Sequence, residues 1–218
     1  MLKADLHVHT RYSIDCNMSL STLITTCEKK DITCIAVTDH GTTKGARELS
    51  KSAPFKVVIG EEILTPHGEI MGLFLQYDIQ DKITVEEAIK QIRQQGGLIC
   101  IPHPFDKVRP SAFRDGRMLE YAADQSDIIE VFNSRSLFPG AEGKARDLAK
   151  RHGKLMSAGT DAHSSLEIGY TYVEMDDFNT TEEFLLSLSH GTICGKKTSP
   201  FLHILSTTAR LAKNNTKV

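Results

Sequence analysis

Short apolar runs alternate along this chain with segments in which apolar residues recur at helical spacing. The runs are ADLHVH, CIAV, KVVIGEEIL, LICI, DIIEVF and KLMSAG. Continuous apolar runs of about four to eight residues between helical patterns are typical of strands buried on both faces of a parallel sheet. The pattern therefore predicts an α/β protein in which parallel strands alternate with helices.

The helical segments set the number of repeating units. They are SLSTLITTCEKKD, TTKGARELSKSA, TVEEAIKQIRQQGG, SAFRDGRMLEYAADQ, EGKARDLAKRHG and TTEEFLLSLSHG. GEIMGLFL predicts an antiparallel partner for the third strand, and TYVEM predicts a further short strand. About seven strand-and-helix units favour a TIM-like (β/α)7 barrel, with an open doubly wound sheet as the alternative. We expect a single domain over residues 1–218, with a partly frayed polar tail at 205–218.

Composition and charge narrow the class of protein. A chain that is 40% hydrophobic and 25% charged can form one sizeable core. Its net charge of −2 argues against the broad attraction on which non-specific nucleic-acid binding depends. The five cysteines are scattered without a CxxC pair, which argues against a disulfide framework or a zinc site built from thiolates. No segment resembles a signal peptide or a membrane span, so we expect a cytoplasmic protein without membrane partners.

His7 and His9 stand two residues apart at the end of the first predicted strand. Alternate residues of a strand point to the same side, so the two imidazoles face one way. Taken alone, the pair fits an exposed edge strand equally well. The other predicted strands also end in polar residues, namely Asp39, His40, Glu61, Glu62, His103, Asn133, Asp161 and His163. In a barrel of parallel strands these ends form one rim, and active sites of such barrels are built there.

This mixture of imidazoles and carboxylates suits divalent transition metals such as manganese, zinc or iron. Four imidazoles together with Asp15, Glu62 and Asp161 are too many ligands for one ion. Converging carboxylates would also repel one another, so we expect two or three cations. A centre of this kind predicts hydrolysis, because one ion lowers the pKa of a bound water while its neighbours polarise a phosphoryl group.

Five motifs in order, DLHVHT, VTDH, GEEI, PHP and GTDAH, resemble those of the polymerase and histidinol phosphatase (PHP) family of metal-dependent phosphoesterases. They extend from Asp5 to His163, about three quarters of the chain. The resemblance implies a distorted seven-stranded (β/α) barrel with a centre of two or three metal ions. It also implies hydrolysis of phosphate esters.

The resemblance further implies a role for each motif. The first ion would be held by His7, His9, Glu62 and Asp161. Glu62, which stands two residues after the glycine of GEEI, matches the glutamate of the family and would bridge to a second ion at His103. A third ion would be held by Asp15, His40 and His163. Asp39 would orient a ligand or cap a helix.

The chain departs from the family pattern in two places. Many members carry a histidine a few residues after the glutamate motif, where this chain has Glu69. Either Glu69 takes the place of that imidazole or the second ion is held more weakly; His67, in a predicted turn, is an alternative ligand. The second departure is Ile14, which separates Ser13 from Asp15, so that Asp15 has to reach the third ion from a loop.

Phosphate recognition requires fixed positive charge, for which a planar guanidinium is well suited. Arg135, a few residues after a predicted strand, is the first candidate, and Lys107 and Arg109, after His103, are the next. Arg11 lies beside the first motif. The alternative for all of them is an ordinary charged residue on a surface loop.

We therefore expect a phosphomonoesterase that acts on a small metabolite or nucleotide through metal-activated hydroxide. Asp161 or His163 would orient or deprotonate the attacking water. A phosphodiesterase or exonuclease acting on short oligonucleotides is the rival among enzymes. A non-catalytic metal-binding accessory module is the rival from another class, and loss of several ligands would be its signature.

Overall fold

The computed structural model describes residues 1–199, so the predicted tail at 205–218 lies outside the described residues. The strands are β1 (Leu2–Val8), β2 (Cys34–Val37), β3 (Lys56–Leu64), β4 (Glu69–Leu73), β5 (Leu98–Ile101), β6 (Ile128–Asn133), β7 (Leu155–Gly159), β8 (Thr171–Met175) and β9 (Thr192–Gly195). The helices are α1 (Leu20–Lys30), α2 (Lys44–Leu49), α3 (Val85–Gln94), α4 (Gly116–Gln125), α5 (Ala141–Arg151) and α6 (Thr181–Ser189).

All nine strands belong to one sheet, in the order β7-β6-β5-β4-β3-β2-β1-β8-β9. Strands β1, β2 and β3 are parallel, and so are β5, β6 and β7. Between these two sets, β4 pairs antiparallel with both β3 and β5. The antiparallel partner predicted for the third strand is therefore confirmed.

The sheet curls until its two ends nearly meet. The Asp161 amide donates to the carbonyl of His7 at 2.8 Å, and the His9 amide donates to that of Ala162 at 3.0 Å. Thr160 adds its amide and hydroxyl, which donate to the Asp5 carboxylate at 2.9 and 2.5 Å. The segment after β7 thus pairs with the end of β1, whereas β8 pairs with the beginning of β1. This nearly closed sheet confirms the predicted TIM-like α/β barrel.

Capping residues explain where several helices begin. Ser19, Thr84 and Thr180 each accept a hydrogen bond from an amide in the first turn of α1, α3 and α6. Helix α4 begins later than the periodicity predicts, because Asp115 accepts from the amides of Arg117 and Met118 and so fixes the first turn there. Residues 111–114 are consequently loop. Strand β9 was not predicted, since TICG is too short and mixed to give a period-two signal.

Apolar side chains from strands β1 to β8 fill the inside of the sheet, and many of them are small, including Ala4, Cys34, Ala36, Cys100 and Ala158. Phe184 of α6 is fully buried in this group, and its ring lies 5.0 Å from that of Phe178. Two further apolar groups lie between the sheet and the helices. Within residues 1–199, no helix combines the length and the apolar character needed to cross a membrane.

Candidate metal centre

Four buried side chains meet at the carboxyl ends of β1, β3 and β7: His7, His9, Glu62 and Asp161, which we call the first cluster. The Nε2 atoms of His7 and His9 lie 3.2 Å apart, and each is 3.4 Å from Glu62 Oε2. Asp161 Oδ1 lies 3.3 Å from His9 Nε2 and 3.7 Å from His7 Nε2. The two imidazoles face the same way, as their spacing predicted.

The first cluster fits a divalent cation. Tetrahedral coordination with bonds of about 2.0–2.2 Å sets neighbouring ligand atoms roughly 3.3–3.6 Å apart, close to the separations within the cluster. Glu62 Oε2 and Asp161 Oδ1 are buried and have no hydrogen-bond partner among the described residues. A buried carboxylate oxygen without a partner is costly, and a cation between these oxygens would satisfy both.

A second cluster consists of Glu62, His103 and Glu69. Glu62 Oε1 lies 2.9 Å from His103 Nε2, and Glu69 Oε2 lies 3.8 Å from the same nitrogen. Burial and the neighbouring Glu62 raise the pKa of Glu69, and the Ser111 hydroxyl donates to it at 2.6 Å. His67 is exposed and lies outside these groups. Of the two alternatives, the structure brings Glu69 to the cluster.

A third cluster consists of Asp15, His40 and His163. Asp15 Oδ2 lies 3.1 Å from His163 Nε2 and 3.4 Å from His40 Nε2. Asp15 reaches these rings from the loop before α1, and Ile14 is accommodated with its side chain 38% exposed. Burial alone would lower the pKa of His40, but Glu62 and Asp15 outweigh it and raise that pKa to about 10. Burial and the nearby His163 lower the pKa of His9 to about 4.

Two of these residues have an unusual backbone. His103 has a φ of 28° and Asp161 a φ of 56°, in the left-handed region that non-glycine residues rarely adopt. Such conformations persist only where the surroundings hold them, and they concentrate at functional sites. Here hydrogen bonds hold both: the Asp161 amide donates to His7, and the His103 amide donates to Glu130 at 2.8 Å.

Glu130, on β6, is a site residue that the sequence analysis missed. Its Oε1 lies 3.0 Å from His7 Nδ1, and its Oε2 accepts from Asn133 Nδ2 at 3.0 Å as well as from the His103 amide. Asn133 Nδ2 also lies 3.2 Å from Asp161 Oδ2. A single carboxylate inside the apolar run IIEVF was the available signal, because such a charge is rarely buried without partners.

Glu167 is a second residue that the sequence analysis missed. It is fully buried and accepts from the amides of His163 and Ser164 at 2.9 and 3.0 Å. Arg135 Nε lies 3.6 Å from Glu167 Oε1, and Arg135 Nη1 donates to the Asp161 carbonyl at 3.4 Å. Arg135 is therefore buried beneath the segment that carries Asp161 and His163 rather than standing at the mouth of the site.

The other cation candidates differ in position. Arg109 is half-buried, and its Nη2 contacts Asp161 Oδ2 while its Nε lies 3.2 Å from Asp106 Oδ2. Burial alone would raise the pKa of Asp161, but Arg109 and His7 hold it well below its usual range. Lys107 and Arg11 are exposed. Of the predicted cations, Arg109 is the one whose guanidinium contacts the first cluster.

Asp39 and Glu61 lie next to the clusters but face elsewhere. Asp39 accepts from the amide and the hydroxyl of Thr10, both at 2.6 Å, and so ties the end of β2 to the end of β1. Helix α2 begins at Lys44 with Thr43 as its N-cap residue, so the helix-capping alternative for Asp39 is wrong. Glu61 accepts from the Ile79 amide at 2.9 Å, and burial raises its pKa to about 8.

Comparisons with known proteins identify the families that this chain resembles. Residues 5–96 match the family described as the PHP domain, and residues 139–193 match the family described as PHP-associated. Two uncharacterized proteins of Methanocaldococcus jannaschii are similar to this chain. One is 40% identical over 82% of its length and 61% of this chain, and the other is 35% identical over 72% of its length and 82% of this chain.

A solved structure has a similar fold. It is a two-domain protein from Bacteroides vulgatus that contains a predicted PHP-like metal-dependent phosphoesterase. The superposition has a TM-score of 0.69 at 17% identity and covers 95% of this chain and 69% of that one.

Proposed function

Because this chain belongs to the PHP family of metal-dependent phosphoesterases, we propose that it hydrolyses the phosphomonoester of a small metabolite or nucleotide. The supporting observation is the pair of buried oxygens, Glu62 Oε2 and Asp161 Oδ1, which have no hydrogen-bond partner in the described residues and stand at ligand spacing from two imidazoles.

In this proposal each cluster holds one divalent cation, of manganese, zinc or iron. From the distances between these side chains, the ligands would be His7, His9, Glu62 and Asp161 for the first, Glu62, His103 and Glu69 for the second, and Asp15, His40 and His163 for the third. When bound, such ions supply a hydroxide nucleophile near neutral pH and neutralise charge on the phosphoryl oxygens. Glu62 would serve two ions, because its two oxygens face different clusters.

Arg109 is the residue we assign to the substrate phosphate. Its guanidinium already contacts a carboxylate of the first cluster, and a planar guanidinium binds two phosphate oxygens at once. Lys107, exposed on the same loop, would contribute at longer range. We assign buried Arg135 to positioning, because it contacts the carbonyl of Asp161 and the carboxylate of Glu167.

His163 is the candidate proton acceptor. Its Nδ1 lies 2.8 Å from the Asp161 carbonyl, to which only a protonated nitrogen can donate. The lone pair of the neutral ring is then on Nε2, which faces Asp15 and the third cluster. With the third ion absent, Nε2 would take the proton of the attacking water while Asp161 orients that water; with the third ion bound, Nε2 would be its ligand instead.

The loop between β5 and α4 gives some support to the diesterase alternative. Lys107, Arg114 and Arg117 are exposed on or next to this loop, and Arg114 Nη2 donates to the Arg109 carbonyl at 3.4 Å. Cations beside the first cluster would suit the additional phosphates of a short oligonucleotide. The accessory-module alternative loses support, because each of the three clusters retains imidazole and carboxylate ligands.

The test is phosphate release, with added Mn²⁺, from sugar phosphates, mononucleotides, nucleoside bisphosphates and short oligonucleotides. We expect release from a monoester by wild type and none by Asp161→Asn, with Glu61→Gln as the matched control. Preferred cleavage of oligonucleotides would support the diesterase instead. Bound Mn²⁺ without release from any substrate would contradict the proposal and favour the accessory module.

A further inference from the structure

Glu130 lies inside β6 and is 2% exposed, with apolar neighbours on either side in the strand. Both of its oxygens have hydrogen-bond partners: Oε1 lies beside His7 of the first cluster, and Oε2 accepts from the amide of His103 of the second. Buried carboxylates are rare unless they are paired, so this position requires an explanation beyond packing.

One oxygen of Glu130 determines which nitrogen of His7 carries the proton. Oε1 lies 3.0 Å from His7 Nδ1, and an ionised carboxylate can only accept a hydrogen bond. His7 is therefore protonated on Nδ1, and in the neutral ring the lone pair is on Nε2. Nε2 is the atom that faces His9, Glu62 and the rest of the first cluster.

The other oxygen of Glu130 holds the backbone of the second cluster. Oε2 accepts from the His103 amide at 2.8 Å, at a residue whose φ is 28°. This bond supports a sparsely populated backbone conformation, and the conformation in turn directs His103 Nε2 to within 2.9 Å of Glu62 Oε1.

Asn133 extends the same network. Its Nδ2 lies 3.0 Å from Glu130 Oε2 and 3.2 Å from Asp161 Oδ2, so it connects Glu130 to a second member of the first cluster. The Glu130 carboxylate thus accepts hydrogen bonds from three N–H groups, on His7, His103 and Asn133. His7 and His103 belong to the first and second clusters, and Asn133 supports the first.

We propose that Glu130 is a positioning residue that couples the first and second cation sites, so that neutralising it weakens both ions together. This inference rests on the metal centre of the function proposed above. It concerns metal binding, which can be measured without substrate.

Glu130→Gln is the test. The amide has one acceptor oxygen for three donors, so at least one N–H must lose its partner. We expect the affinity for Mn²⁺ to fall about 10–100-fold at both sites, as is usual when a group that orients a ligand is removed. Equilibrium dialysis over a range of Mn²⁺ concentrations, followed by elemental analysis, should show that the binding of two ions per chain moves to about 10–100-fold higher Mn²⁺ in the variant.

Glu61→Gln is the matched control, because Glu61 is also a buried glutamate beside Glu62 but accepts from Ile79 instead. We expect its Mn²⁺ content to stay at the wild-type level. In the metal-free proteins, ¹H–¹⁵N spectra should show a strongly deshielded His7 Nδ1 proton in wild type and Glu61→Gln and a less deshielded one in Glu130→Gln, because an amide oxygen accepts more weakly than a carboxylate. A purely structural role would not produce this change.

If circular dichroism shows that Glu130→Gln does not fold, Glu130→Asp replaces it. Aspartate keeps the charge but is one methylene shorter, so it cannot reach His7 and His103 together, and we expect a loss of Mn²⁺ at one site or both.

Wild-type Mn²⁺ affinity at both sites in a folded variant, or a loss confined to one site in Glu130→Gln, would overturn the coupling. Coupled Mn²⁺ loss in a protein that releases no phosphate would instead refute the proposed function alone.

Discussion

The two ends of the barrel are built from the same strands but have opposite chemistry. Strand β1 carries Ala4 and Leu6 into the apolar group inside the sheet and presents His7 and His9 a few residues later. In the same way, β7 places Ala158 in that apolar group, and Asp161 follows it in the metal centre. A shift of one to three residues along the chain therefore separates the part that stabilises the fold from the candidate metal ligands.

This difference in chemistry shows which end of the barrel depends on bound cations. Burying apolar side chains is favourable without any ligand, at roughly 25 cal/mol per Å². Burying Glu62, Glu69 and Asp161 is unfavourable unless their charges are compensated. The apolar end should therefore tolerate loss of metal, and the polar end should depend on it.

Asp161→Asn gives the largest expected effect on function. Asparagine tolerates the left-handed backbone of Asp161, so the substitution removes charge without adding strain. Since metal ions contribute several kcal/mol to such reactions, we expect phosphate release to fall about 10³-fold or more. The metal-free variant should melt below the metal-free wild type, because Arg109 and His7 lose the buried carboxylate that they stabilise; an unchanged melting temperature would contradict this pairing.

Phe184→Ala probes the apolar end. Truncating a fully buried aromatic ring should cost about 3–5 kcal/mol in the free energy of unfolding, measured by denaturant titration. We expect the Mn²⁺ content of the folded variant to equal that of wild type. Loss of Mn²⁺ below the unfolding transition would mean that the two ends are not separable.

Removal of metal should destabilise the polar end of the barrel and leave the contribution of the apolar end unchanged. Each ion that binds only the folded chain, at about 100 times its Kd, contributes about 2.7 kcal/mol. For a chain of this size, chelation by EDTA should lower the melting temperature of wild type by roughly 5–10 °C for each ion removed. The decrease in melting temperature caused by EDTA should be much smaller in Asp161→Asn than in wild type, and in Phe184→Ala it should equal that of wild type. Equal decreases in all three proteins would disprove the division between an apolar end and a metal-dependent polar end.

Arg109→Gln tests whether a specific contact at the polar end binds the substrate phosphate. A charged hydrogen bond to phosphate contributes about 1.5–3 kcal/mol, so we expect KM for the monoester to rise about 10–100-fold. Arg109→Lys should recover part of this loss. Lys107→Gln, on the same loop but exposed, should change KM by less than about threefold. Equal effects of Arg109→Gln and Lys107→Gln would favour diffuse attraction over a specific contact.

The sequence pattern predicts the fold well, and it also predicts that the candidate ligands lie at strand ends, because both depend on short-range signals. Apolar runs mark the parallel strands, and the polar residue that ends each run, such as His103, lies where a barrel brings strand ends together. The choice of Glu62 over Glu61 agrees with the structure, since the side chains of successive strand residues point to opposite faces.

Contacts between distant segments were harder to predict. Glu130 and Glu167 matter because of partners in other strands and loops, and no local spacing reveals those partners. Arg135 and Arg109 both lie on loops that follow a strand, and only the packing of those loops buries one and brings the other to the Asp161 carboxylate. The start of α4 depended on whether Asp115 or an earlier residue would cap it.

The pairing of β1 with the segment after β7 has a consequence for how the protein folds. Asp5 and Thr160 are 155 positions apart, yet their hydrogen bonds close the barrel beside the first cluster. Joining such distant parts requires a large loss of chain entropy, and contacts of this kind form slowly. The ribosome must therefore release most of the chain before His7, His9 and Asp161 can bind the same ion, and metal capture should belong to the last stage of folding.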